Sequence, residues 1–234
     1  MGRFVIEKGF WELFPEASIG VIVVKGIDNT RTSPDFAGML EEASKQVLVK
    51  LEGAELAKHP VIAVWREAYK KFKSPRENRS SVEALIRRVY NGKQVGTINP
   101  LVDIYNFVSL KYMLPCGGED LDVVKGDIRL VRAAGNEQFV PLGSEENEPP
   151  AEGEVIYRDE AGAICRCWNW READRTKLTE ETMNAFLCIE SVDSSRRDVF
   201  KAAVKELAEL VNKYLGGSCQ VFFLDRNNKE ISFD

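Results

Sequence analysis

Four stretches of this sequence combine residue types that can do chemistry. The densest is Cys165-Arg166-Cys167-Trp168-Asn169-Trp170-Arg171-Glu172-Ala173-Asp174-Arg175-Thr176, where two tryptophans and an amide stand among arginines. Indole rings stack on a nucleobase or cover an amino-acid side chain, and guanidinium groups hold phosphate or carboxylate. The alternative is an aromatic corner with Arg171 and Arg175 in ion pairs. In Leu114-Pro115-Cys116-Gly117-Gly118-Glu119-Asp120-Leu121-Asp122 a double glycine lets backbone N–H groups approach a ligand, and three carboxylates follow closely. A glycine helix stop with a charged turn explains the same residues. Asn99, Asp103 and Asn106, four and three positions apart, share one face of a helix among apolar neighbours. Such polar groups line a pocket or form a buried network with a cap. From Trp65 to Lys93, nine lysines and arginines, among them Lys70, Lys71, Lys73, Arg76 and Arg79, face three glutamates. This basic stretch suits a phosphate backbone, or is a solvated helix face with Glu83 and Arg87 paired one turn apart.

Elements to position these residues follow from patterning. Ile19 to Val24 is a β-branched run expected to be buried on both faces. Ser33-Pro34 reads as a cap followed by proline at the start of a helix to about Gly53, with Phe36, Met39, Leu40, Ala43, Val47 and Leu51 on one stripe. Further helices are expected over Val61 to Phe72, from Ser80 to Tyr90 with Ser80 and Glu83 at capping-box spacing, and over Pro100 to Met113. Strands are expected over Asp127 to Arg132 and Glu137 to Val140, as a hairpin about Gly135-Asn136, then over Val155 to Arg158, Ile164 to Trp170 and Phe186 to Val192. A last helix begins at Ser194 and a closing strand covers Gln220 to Leu224. Helices dominate the first half and strands the second, so the fold class is α+β. If Val21 to Val24 and Val221 to Leu224 share a sheet, residues 1–234 make a single domain.

Composition narrows the function. The 234 residues carry a net charge of −5, which disfavours a general nucleic-acid coat but not a local basic face. Five cysteines without a CxxC pair and a single histidine, His59, give no zinc spacing, so buried thiols in a reducing cytoplasm are expected, with no metal or cofactor. One histidine leaves little room for Ser–His–Asp catalysis, and no GxSxG, Walker A or GxGxxG run occurs. No signal peptide, bilayer-spanning run or myristoylation pattern is present, so neither a membrane nor DNA is an expected partner.

The run Arg79 to Leu85, the helix Ile98 to Asn106, Gly117 to Asp122, Pro141-Leu142-Gly143, Glu148-Pro149-Pro150 and Trp168 to Thr176 together resemble the B3/4 family, the editing domain of the phenylalanyl-tRNA synthetase β subunit. The likeness covers about residues 60–195. It implies a β-sandwich of unusual topology with flanking helices, and a pocket for an aminoacyl group on the 3′-terminal adenosine of a tRNA. In the synthetase this domain hydrolyses tyrosine wrongly esterified to phenylalanine tRNA. Without the synthetase core, a free-standing editing protein is the expectation. The resemblance places Asn106 at the family's substrate-contacting asparagine. The family's editing histidine is replaced by Leu114-Pro115-Cys116-Gly117, and Asp174 is the nearest counterpart of the editing glutamate. The expected site therefore has Glu119 or Asp174 orienting a water and N–H groups of Gly117 and Gly118 holding an oxyanion. Asn99 and Asn106 would hold the amino acid. Trp168, Asn169, Arg171, Arg175 and Thr176 would frame the pocket, and Lys70, Lys71, Lys73, Arg76 and Arg79 would bind RNA. A non-catalytic amino-acid or RNA-binding module is the alternative.

Overall fold

The computed structural model describes residues 2–31 and 35–233. In chain order the elements are β1 (Arg3–Ile6), α1 (Lys8–Leu13), β2 (Ser18–Lys25), α2 (Phe36–Lys50), α3 (Pro60–Tyr69), α4 (Ser81–Tyr90), α5 (Pro100–Tyr112), β3 (Cys116–Asp120) and β4 (Ile128–Arg132). They continue with β5 (Val155–Asp159), β6 (Gly162–Arg166), β7 (Arg171–Glu172), β8 (Ala185–Ser191), α6 (Arg197–Leu215), β9 (Ser218–Leu224) and β10 (Glu230–Ser232). The fold is α+β. One sheet has the order β10-β1-β4-β5-β6-β7 and the other β3-β8-β2-β9.

The two sheets face each other. Phe4 and Tyr157 of the first meet Phe186 of the second, with Phe4 and Phe186 ring centroids 5.0 Å apart. That interior continues into α1, α2, α3 and α4 through Phe10, Leu40, Trp65 and Ile86. The outer face of the β2–β8 sheet is covered by α5 and α6, with Ile22, Leu187 and Ile189 packed against Ile104, Val204 and Leu207. β2, central in its sheet, is buried from Ile19 to Val24, as a β-branched run without alternation requires. Its partner β9 runs antiparallel to it with Ile22 opposite Val221, so the two distant strands do share a sheet.

Caps fix the helices around the site. Ser80 Oγ accepts from Glu83 N–H at 3.4 Å at the start of α4, but the Glu83 side chain does not reach back. Instead its buried carboxylate collects Arg66, Arg79 and Arg87. Asn99 caps α5 ahead of Pro100, and α5 ends at Met113 in a left-handed conformation (φ 51°), its last carbonyls taken by Arg196. The expected cap at Ser33 and Pro34 lies outside the described residues; Asp35 Oδ1 accepts from Gly38 N–H at 2.8 Å.

Three expectations change. The strand expected over Ile164 to Trp170 ends at Arg166, because Cys167 and Trp168 take left-handed backbone and turn the chain. Residues 137–140 form no strand, because the Glu137 carboxylate accepts from the N–H groups of Ala134, Gly135 and Asn136 and folds the segment into a closed turn. β4 pairs instead with β1 and β5. The diglycine is not a turn: Gly117 and Gly118 lie in β3, an edge strand on β8. A Cβ on Gly118 would stand 2.5 Å from Leu187 Cδ2 and 3.1 Å from the Phe186 carbonyl oxygen, so strand pairing at this separation needs glycine.

Candidate functional site

At one end of the interior, between the sheets and beneath α4 and α5, lies a cavity of about 480 Å³. Its floor is Phe186, Cys188 and Glu190 of β8 with Tyr157 and Cys165 opposite. One wall is Gly117, Gly118 and Glu119 of β3, another is Tyr105 and Asn106 of α5, and the rim carries Arg88 and Arg171. The asparagine helix, the diglycine strand and the tryptophan–arginine segment therefore converge on one space.

The tryptophan segment is turned inwards by strained backbone. Cys167 (φ 45°) and Trp168 (φ 64°) are consecutive non-glycine residues in the left-handed region, costing about 1–3 kcal/mol each. Hydrogen bonds hold them there: Glu154 accepts from Cys167 N–H and from the Arg166 guanidinium, and Trp168 N–H donates to the Val155 carbonyl. The Trp168 ring is fully buried among Phe10, Phe14 and Trp65. It presents part of its surface to the cavity and offers no free stacking face. Asn169 is a bridge: its amide donates to Glu190 and its carbonyl accepts from Tyr69 Oη (3.1 Å) and Ser81 N–H (3.3 Å).

Three carboxylates stand among the mainly apolar lining of the cavity. Glu172, half-buried on β7, is pushed up to about 7 by burial, with the Gly118 N–H pulling it back. Glu190, 1 % exposed, is also raised to about 7 by burial, while Tyr157 and Asn169 favour its ionised form. Glu119 is raised well above the usual carboxylate range by burial first and by the neighbouring Glu172 second. The Thr176 hydroxyl lies near enough to favour its ionised form, yet neither Thr176 Oγ1 nor Glu119 Oε2 completes a hydrogen bond among the described residues. Burial likewise holds the Cys116, Cys165 and Cys188 thiols up, away from the nucleophilic thiolate.

The antiparallel ladder decides which β3 amides are free. The Pro115 carbonyl accepts from Glu190 N–H, which turns Gly117 and Glu119 towards β8 and leaves Gly118 and Asp120 on the outer edge, where Asp120 N–H donates to the Thr176 carbonyl. Gly117 N–H is thus committed to the sheet; Gly118 N–H faces Glu172.

Other expected residues stand apart. Asn99 is 4 % exposed and fully engaged, accepting from Val102 N–H and Asn29 and donating to the Leu178 carbonyl, so it is a cap and loop tie. Asp174 lies outside the cavity, bound to Lys177 at 2.9 Å, which with Gly143 N–H holds it below the usual carboxylate range. Arg175 forks onto buried Asp159 at 2.8 and 2.9 Å, and Thr176 is buried behind the wall. Asn106 does line the cavity, and its amide forms no hydrogen bond with another described residue. The basic stretch borders a second hollow of about 580 Å³ lined by Arg66, Lys70, Arg76 and Arg79. Lys70 pairs with Glu67, Lys71 sits over the Phe14 ring, and Lys73 and Arg76 are exposed.

The sequence model of the B3/4 domain family matches residues 64–216. The chain belongs to the B3/4 domain family. The match spans both cavity walls and the Glu172 and Glu190 strands. A phenylalanine–tRNA ligase β subunit from Ruegeria pomeroyi is 37 % identical over 92 residues, 38 % of this chain and 11 % of that protein. An N-terminal fragment of the phenylalanyl-tRNA synthetase β-subunit from Pyrococcus horikoshii superposes with a TM-score of 0.46 at 10 % identity, covering 93 % of this chain and 49 % of the fragment. The chain thus spans a small part of the curated relative and about half of the solved one. Within this B3/4 domain the residues that sequence reasoning left unassigned are Glu172, Glu190, Tyr157 and Arg88. Glu190 carried a signal, a carboxylate inside the apolar strand Phe186 to Ile189. Glu172 carried none beyond its place beside Arg171 on a two-residue strand.

Proposed function

We propose that this B3/4 domain hydrolyses the ester between an amino acid and the 3′-terminal adenosine of a tRNA. The observation that supports it most is Glu172: a half-buried carboxylate raised to about 7, in a cavity large enough for an aminoacyl group and edged by cations. A general base works best with its pKa near the working pH, and an ester already activated towards attack needs chiefly a placed water. Of the two carboxylates expected to orient that water, Asp174 stands outside the cavity and burial favours the protonated form of Glu119. Glu172 takes the role. Gly118 N–H, on the outer edge of β3, steadies the ionised Glu172 and turns to the developing oxyanion once Glu172 has taken the proton of water. Asn106 contributes its uncommitted amide to the amino-acid part. Arg88 and Arg171 at the rim meet the terminal phosphate, and the exposed Lys73 and Arg76 meet the acceptor arm.

Deacylation of mischarged tRNAs by the purified chain tests this. Glu172→Gln should lower the rate at least about a hundredfold, and Asp174→Ala should leave it unchanged. Absence of turnover on every mischarged tRNA refutes hydrolysis. A second reading, a binding module that kept the pocket, is favoured by the composition of the cavity: no histidine lines it and its thiols are held protonated. Calorimetric binding of free amino acids without deacylation would support that reading.

A further inference from the structure

The hydrolytic scheme leaves Glu119 unused, and of the three cavity carboxylates it is the one with a buried oxygen lacking a partner among the described residues, as Ser81 Oγ and Trp168 Nε1 also do. It is 5 % exposed, and its Oε2 has no hydrogen-bond partner among the described residues. Glu190, by contrast, is held by Tyr157 and Asn169. Below the rim, where Arg88 and Arg171 stand, the titratable groups lining the cavity with Glu119 are Glu172 from β7, Glu190 and Cys188 from β8, Cys165 from β6, Tyr157 from β5 and Tyr105 from α5. None is a cation, and Cys116 at the start of β3 adds none. The Arg175 guanidinium, whose charge is felt at Glu119, has both terminal nitrogens on Asp159 and none on Glu119. Arg88 and Arg171 are exposed at the rim. Among the described residues no three His, Cys, Asp or Glu side chains are arranged to hold a metal ion.

We infer that Glu119 is the seat for a protonated amine of the ligand, so that the buried end of the cavity selects ligands by positive charge. A buried carboxylate with one oxygen left open favours taking a proton or a cation there, since bare charge in such surroundings is costly. In the empty protein burial first and Glu172 second favour the protonated form of Glu119, against the pull of Thr176 and Arg175. An entering ammonium replaces that proton, which leaves to solvent, and donates to the open Oε2 position. The exchange is charge-neutral inside the cavity, which is why an ammonium is accepted where a neutral amide or hydrocarbon is not. The inference rests on the aminoacyl reading of the same cavity and names what that ligand must carry. The amine is either the α-ammonium next to the ester or a side-chain ammonium; both offer the same chemistry to Glu119.

The test is equilibrium binding, independent of turnover. Calorimetry of the full chain would compare amide-linked 3′-tyrosyl-adenosine with its Nα-acetyl form, and the 3′-lysyl analogue with its Nε-acetyl form. Acetylating the seated amine should weaken binding about tenfold or more, the loss of one charge-assisted hydrogen bond. Loss on Nα-acetylation alone assigns the α-amine; loss on Nε-acetylation alone assigns the side chain. Titrations in buffers of different ionisation enthalpy should show a proton released on binding of the amine forms. In Glu119→Gln, folding by thermal melt, the amine and acetyl forms should bind alike. If that variant does not fold, the wild-type acetylation pairs decide. Equal affinity of amine and acetyl forms, or no binding by any probe, overturns the proposal. Amine discrimination without deacylation would instead remove hydrolysis and leave the seat.

Discussion

Tyr157 Oη donates to Glu190 Oε1 across 2.6 Å, and this hydrogen bond joins the two sheets beneath the cavity. Tyr157 belongs to β5 of one sheet and Glu190 to β8 of the other, and both are buried. Removing the hydroxyl leaves Glu190 with Asn169 as its side-chain partner. Tyr157→Phe should therefore cost about 1.5–3 kcal/mol in urea unfolding, the range for a hydrogen bond to a charged group. Unchanged stability would show that the bond does not tie the sheets together.

The same carboxylates make stability depend on pH in an unusual direction. Glu172 and Glu190 rise from 4.5 to about 7 in the folded protein. Between these values the folded state binds more protons than the unfolded chain, so their contribution is fully present below about pH 4.5 and is lost as pH rises through about 7. Glu83, lowered through Arg66 and Arg87 against its burial, acts oppositely and loses its contribution as pH falls through its folded pKa. Subtracting the stability profile of Glu190→Gln from that of the wild type isolates one group. The difference should move against the wild type between pH 4.5 and 7 and level off above; a flat difference would contradict the burial argument.

Much of the frame is legible in the sequence because local signals agree with tertiary demand. Ser80, Asn99 and Pro100 start their helices where capping chemistry requires, and the Phe36 to Leu51 stripe is the face α2 buries. β3 was illegible because Pro-Cys-Gly-Gly carries turn chemistry; its strand geometry comes from β8, whose Leu187 occupies the volume that a side chain at position 118 would take. The site was half legible for a similar reason. Trp168, Asn169 and Arg171 are named by their types, but whether Asp174 or Glu172 reaches the cavity depends on a turn after two left-handed residues, which no propensity announces.

The two glycines of β3 should respond differently to alanine. At Gly118 the new Cβ meets Leu187 Cδ2 at 2.5 Å, Leu178 Cδ1 at 3.1 Å and the Phe186 carbonyl at 3.1 Å. Overpacking against backbone should cost about 1–3 kcal/mol. At Gly117 the added methyl meets only Glu172 Oε1, at 3.4 Å, an ordinary contact on the cavity side. Gly117→Ala should leave the melting temperature within a few degrees and reduce ligand affinity. Equal melting temperatures for the two variants would contradict this division.

Arg175 was a candidate for substrate binding, and its geometry argues for stability. Its two terminal nitrogens meet the two oxygens of Asp159, whose side chain is fully buried and also accepts from Lys125 and Ala161 N–H groups. Arg175→Met leaves that carboxylate without its counter-charge and should destabilise the chain by about 3 kcal/mol. At temperatures where the variant is folded, binding of the amide-linked tyrosyl-adenosine should match the wild type. A stable variant that no longer binds would put Arg175 back at the ligand.

Within the basic stretch, pairing separates side chains that can meet phosphate from those already engaged. Arg66, Arg79 and Arg87 converge on Glu83, and Lys70 is on Glu67. Lys73 and Arg76 are exposed, with no ion pair among the described residues, and Arg76 edges the second hollow. If this face carries the acceptor arm, Lys73→Glu with Arg76→Glu should weaken tRNA binding and flatten the dependence of log affinity on log salt by about one for each phosphate no longer neutralised. Lys70→Ala should change neither by as much, because its charge is already shared with Glu67. Unaltered affinity and salt slope in the double variant would move the RNA-binding surface to the cavity rim at Arg88 and Arg171.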